Sequence, residues 1–195
     1  MNDVLLPLLT LLLGALLGLV SSLFASSIQQ RHTITLRLLD QYLNVRKSVA
    51  DEVAPLTNLD LHIDLPNDER LKHRHIVSRL FYTHYDFLPK PVLNSLILLD
   101  VCLGNPESGP YIVRDATIDI MKPNEVPQFI ERTSLFRNTQ LVTCLALKSS
   151  DKTVRKNQTI KLHARHVLHT LNTFASIDDL ASMIKTLKKH GPIDI

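Results

Sequence analysis

The chain has 195 residues, 45% of them hydrophobic and 21% charged, which fits one folded core with a short appendage and excludes an intrinsically disordered chain. Lysine and arginine total 22 against 19 acidic residues, a net charge of +3. The basic residues are interleaved with the acidic ones, so no nucleic-acid partner is expected.

The first element is the clearest. From Val4 to Phe24 there is no charged residue, and a helix rising about 1.5 Å per residue over that run crosses a hydrocarbon core of about 30 Å. A cleaved secretory signal would need a basic start and a shorter apolar stretch. Here only Asp3 precedes the run. Residues 1–27 are therefore expected to form a single transmembrane anchor. Positive residues that flank a span stay on the cytoplasmic side, and Arg31, Arg37, Arg46 and Lys47 all follow it. This places the N-terminus outside and the remainder in the cytoplasm, at the inner (plasma) membrane.

Within the run, Gly14, Gly18, Ser22 and Ser26 recur every four residues. Lipid gives leucine no reason to hide, so helices in a bilayer associate where small side chains let backbones approach. The four residues form a candidate packing seam for a homo-oligomer or for another membrane protein.

Beyond the bilayer the helical period continues through Leu36, Leu39, Leu43, Ala50 and Val53, with a second apolar row of Ile34, Leu38, Tyr42, Val45 and Val49. Residues 28–54 read as a stalk helix stopped at Pro55, and residues 66–195 as a helical cytoplasmic domain. After a loop-like stretch, Asn67 is the expected N-cap of a helix with Asp68 and Glu69 in its first turn, ending before Pro89. Pro91 opens PVLNSLILLDVCLG, apolar nearly all round and closed by Gly104, which belongs at the centre of the core.

Residues 107–121 are the least helical part, rich in β-branched side chains, and predict a short strand or an irregular excursion. Helical pattern resumes at Asn124. LVTCLAL is too short to separate helix from strand, and Ser150 or Asp151 caps a long helix after it. Ser176, with Asp179 three residues on, starts a last helix that Gly191 ends. The fold class is mainly α: an anchor continuing into a stalk, then an irregular bundle of about five helices.

Cys102 and Cys144 lie in separate apolar runs and read as buried thiols of a reducing compartment. His163, His166 and His169 step by three along one helix and are the only metal candidates. No carboxylate sits among them. The expected reading is a solvated basic face shared with Lys161 and Arg165.

Arg79-x4-His84 and Arg70-x4-His75 resemble the Arg-x4-6-His pair of the HEPN family of helical ribonucleases. The resemblance implies an alternative function, a membrane-tethered ribonuclease-like effector in which Arg79 and His84 act on the RNA backbone. Arg79 is followed by Leu80 where that family favours a polar residue. No glycine-rich phosphate cradle, GxSxG or CxxC is present, so the common ATPases, dehydrogenases and hydrolases are excluded and no cofactor is implied. The primary expectation is a scaffold or recruitment module, with the lipid bilayer and either a second copy or another membrane protein as partners. An exported helical protein with a cleaved signal is a second alternative.

Overall fold

A computed structural model describes residues 2–133 and 137–174, leaving aside the side chains of 2–13, 15, 16, 31 and 137–139. Among these residues the protein is mainly helical, with six helices and two short strands. Two compact units divide the chain, Met1–Gln41 and Tyr42–Ile195.

Helix α1 runs without interruption from Asn2 to Thr57. It does not stop at Pro55. A proline in a last turn still offers its carbonyl, and the Pro55 oxygen accepts the Asn58 N–H at 3.1 Å. Among the described residues no helix is long and apolar enough to cross a membrane. Much of the uncharged run, residues 4–13 with Ala15 and Leu16, has its side chains outside that set.

In the second unit, Tyr42, Val45, Val49, Val53 and Leu56 are buried at helical spacing. The stretch expected to be a stalk is therefore divided: its residues from Tyr42 onward belong to the globular core. A stalk needs no strongly buried face, and this one has it, because Val49, Val53 and Leu56 are completely enclosed.

Helix α2 spans Asn67–Thr83 and α3 spans Lys90–Gly104. Pro66, not Asn67, is the residue before the first turn of α2, and it makes no side-chain cap. The Asn67 amide oxygen is instead taken by the Arg70 guanidinium at 2.6 Å. Helix α3 packs on α2 along one side and on the long helix α6 (Lys152–Phe174) along another. Its buried row of Val92, Leu93, Leu96, Leu99, Cys102 and Leu103 confirms its central place.

Residues 111–120 form an antiparallel hairpin, β1 (Tyr111–Arg114) and β2 (Thr117–Ile120), with Tyr111 opposite Ile120 and Arg114 opposite Thr117. Asp115 and Ala116 make the turn at φ 47° and 63°, the left-handed values that match the twist of a two-residue hairpin loop. Helices α4 (Val126–Thr133) and α5 (Arg137–Leu147) follow, which settles LVTCLAL as helix. Met121, Phe129, Ile130 and Leu162 form a second small core beneath the hairpin, with Ile112, Val126, Cys144 and Leu147 packed against it. The Asp151 carboxylate caps α6, accepting the N–H groups of Thr153 at 2.8 Å and Val154 at 3.3 Å. The helix expected from Ser176 lies outside the described residues.

Candidate functional site

The segment of α1 in the first unit leaves large apolar side chains exposed. Leu17, Leu19, Val20, Leu23 and Phe24 are 50–69% exposed, and Ile28 and Ile34 are similarly open. Successive residues turn by about 100°, so Leu19, Leu23, Val20 and Phe24 fan across one broad side of the helix. With Leu17 and Ile28 they cover about half of the circumference, a broad apolar face, and Gly14, Gly18, Ser22 and Ser26 lie along the other half. Gly14, Gly18, Ser22 and Ser26 are all exposed along it. A Cβ added at Gly14 or Gly18 would meet nothing within 4 Å, so no part of the described chain fills the seam.

The structure does not bring Arg79 and His84 into contact. Arg79 is exposed on α2 and faces Glu52 of α1 at 3.8 Å. His84 ends α2: its N–H donates to the Leu80 carbonyl at 3.1 Å, and its carbonyl accepts from Phe87 and Leu88 at 3.0 and 3.1 Å. Burial holds its imidazole below the usual histidine range. Among the described residues, no hydrogen bond or ion pair joins the two side chains.

The three stepped histidines also part company. His163 is fully buried, its Nε2 accepting the Tyr111 N–H at 3.0 Å, with its ring 5.7 Å from that of Phe129. His166 lies against the same phenylalanine at 4.5 Å. His169 sits at the outer side of α6, where its backbone carbonyl accepts the Thr173 hydroxyl at 2.8 Å. Burial pushes the His163 imidazole down to about 3 and that of His166 to about 4, each lowered further by the next histidine along the helix.

The expected solvated basic face is therefore corrected. Lys161 and Arg165 are half-buried too, and burial lowers both. The Lys161 ammonium donates to the Leu59 carbonyl at 3.2 Å. Among the described residues no group of three or more histidine, cysteine, aspartate or glutamate side chains is placed to hold a metal ion. Cys102 is enclosed and burial raises its thiol far above the ordinary range, while Cys144 is half-buried. Neither is bonded to the other.

One concave surface stands out within the second unit. A groove of about 490 Å³ runs between α1 and α6, floored by Leu43, Ala50, Ala54, Leu168 and Leu171. Arg46, Lys47 and Asp51 rim it on the α1 side, and Asn172 on the other. Sequence reasoning missed this groove, because the two apolar rows of the stalk helix implied packing without naming α6 as the partner; Ala50 and Ala54, four apart, were the signal that two helices approach without filling the gap.

Compared with known proteins, the chain matches no family model, no curated protein and no solved structure.

Proposed function

We propose that this protein is a membrane-anchored helical scaffold, held at the inner (plasma) membrane by its first helix and offering its second unit to partners in the cytoplasm. The observation that carries this reading is the broad face of exposed leucine, valine, phenylalanine and isoleucine on α1 between Leu17 and Ile28, within and just beyond the uncharged run that begins at Val4. Leaving those side chains in water forfeits about 25 cal/mol for each Å² that a bilayer would cover. Arg31, Arg37, Arg46 and Lys47 follow the run and only Asp3 precedes it, which favours a cytoplasmic second unit.

Gly14, Gly18, Ser22 and Ser26 supply the contact through which two copies, or this chain and another membrane protein, associate in the bilayer. The ribonuclease-like alternative gains no support from Arg79, which faces Glu52.

The test is fractionation of cells expressing the full chain, with protease applied to spheroplasts and to inverted vesicles. Full-length protein in the membrane fraction, cut only in inverted vesicles, supports the reading. A shortened chain in the soluble fraction refutes it. Crosslinking in the membrane then examines the seam. A Gly14→Ile, Gly18→Ile variant is expected to lose the crosslinked dimer, and a dimer that persists unchanged removes the seam from the proposal.

A further inference from the structure

Helix α5 is packed on one side and apolar on the other. Thr143 and Ala146 are buried, and Cys144 and Leu147 pack against the second small core. At about 100° per residue, the opposite side of the helix falls to Leu141, Val142 and Leu145, which are 66, 58 and 62% exposed. A helix at the surface of a domain turns polar residues to the water. Here two leucines and a valine share one arc of about 100°, with no cover among the described residues.

Basic residues stand at both ends of this apolar side. Arg137 is the first residue of α5. Lys148 is exposed and prolongs the last turn, its N–H donating to the Cys144 and Leu145 carbonyls at 3.3 and 3.2 Å. Arg132, in the last turn of α4, is exposed as well. From Val126 to Lys148 these three are set against a single acidic residue, Glu131. Leucine and valine between cationic residues is the composition of a helix that lies in the headgroup region of an anionic bilayer, its apolar side inward and its basic side chains at the phosphates. A protein partner fits this surface less well. Three side chains fall far short of the about 800 Å² that each side of a stable protein interface buries, whereas a lipid surface demands no such area and no complementary shape.

We propose that the exposed side of α5 is a second membrane contact, in which Leu141, Val142 and Leu145 enter the headgroup layer of an anionic bilayer with Lys148 at the lipid phosphates. The positive excess of the segment draws it to that surface. The inference rests on the anchored reading, because a contact of three side chains holds a protein to a bilayer only marginally by itself, as one acyl chain does. Helix α1 supplies the second attachment, which keeps the unit within reach of lipid.

The chain contains no tryptophan, so Leu145→Trp and, as a control on exposed α2, Tyr82→Trp each carry a single reporter. The full-length variants are reconstituted into vesicles of phosphatidylcholine and phosphatidylglycerol and floated on a density gradient. Emission is then read with lipids brominated on their acyl chains and with aqueous acrylamide. The Leu145→Trp emission is expected to shift to shorter wavelength and to lose most of its intensity to the brominated lipid but little to acrylamide, and the Tyr82→Trp emission to do the reverse. Adding Lys148→Glu, or using phosphatidylcholine alone, is expected to weaken the lipid quenching. Adding Leu141→Asp and Val142→Asp, both at exposed positions, is expected to abolish it while the protein still floats. A chain that floats with its Leu145→Trp emission unshifted and open to acrylamide overturns the α5 contact and leaves the anchor standing, whereas a chain that does not float overturns both. Equal lipid quenching of the two reporters, or quenching that survives the two aspartates, removes the contact from α5. Protection from acrylamide without quenching by brominated lipid also overturns it and assigns the surface to a second copy.

Discussion

His163 shows how one side chain ties two elements together. Its Nε2 accepts the Tyr111 N–H at 3.0 Å, fastening the start of the hairpin to the middle of α6, and the site is fully enclosed. Only the neutral ring can accept that bond, and burial lowers its proton affinity to about 3, with His166 at about 4 beside it. Both values lie below the ordinary 6.5 of an unfolded chain, so below that pH the unfolded state binds protons that the folded state refuses. Stability is then full above about pH 6.5 and falls as the pH drops toward 3. The slope is about 1.4 kcal/mol per pH unit for each histidine in the range where it is protonated in the unfolded chain and neutral in the folded one. Urea denaturation between pH 7 and pH 4 checks this. His163→Gln, which keeps an acceptor but does not titrate, is expected to flatten the decline, and His163→Ala, which leaves the Tyr111 N–H buried without its partner, to cost about 3 kcal/mol at pH 7.

Helix ends are where the chain's local chemistry decides most, and α6 gives the cleanest case. Asp151 accepts two N–H groups of the first turn, at 2.8 and 3.3 Å, which would otherwise have no partner within the helix. Asp151→Ala is expected to lower stability by about 1 kcal/mol, read as a shift in the denaturation midpoint without change in slope, whereas Asp151→Asn retains most of it. This cap was legible in the sequence, as were the central place of α3 and the closure of that helix at Gly104, because proline, glycine and a long apolar run act locally. Of the hairpin, a short strand or an irregular excursion was legible from the β-branched residues between 107 and 121, but not the pairing of two strands. Its turn is Asp115-Ala116, without the glycine that usually marks such a loop, and strands of four residues carry too little alternation to be recognised. His163 misled for a different reason: its residue type suggested a polar face, although its position three after Ile160 and four before Val167 puts it on the buried stripe of α6. The groove was hidden because its existence depends on α1 packing with α6, a pairing more than a hundred residues apart in sequence.

At the scale of the whole molecule, α1 contributes residues to both units, and the division falls at Gln41 and Tyr42. Before it, Leu17, Leu23 and Phe24 have no cover in the described chain; after it, Val49, Val53 and Leu56 have no exposure at all. The five core residues Tyr42, Val45, Val49, Val53 and Leu56 each contribute about 1.5–3 kcal/mol by burial. Their sum is comparable to the entire net stability of an ordinary domain, about 5–15 kcal/mol. The two parts of the helix should therefore separate cleanly by truncation. A chain beginning at residue 38 is expected to lose membrane association, which the proposed anchor requires, yet to unfold cooperatively on heating because the core is intact. A chain beginning at residue 58 loses all five core side chains and is expected to show no cooperative transition by circular dichroism. If the shorter chain melts as the longer one does, α1 contributes nothing to the core; if the chain from residue 38 still sediments with membranes, the second unit has a membrane contact of its own and the first helix is not the sole anchor.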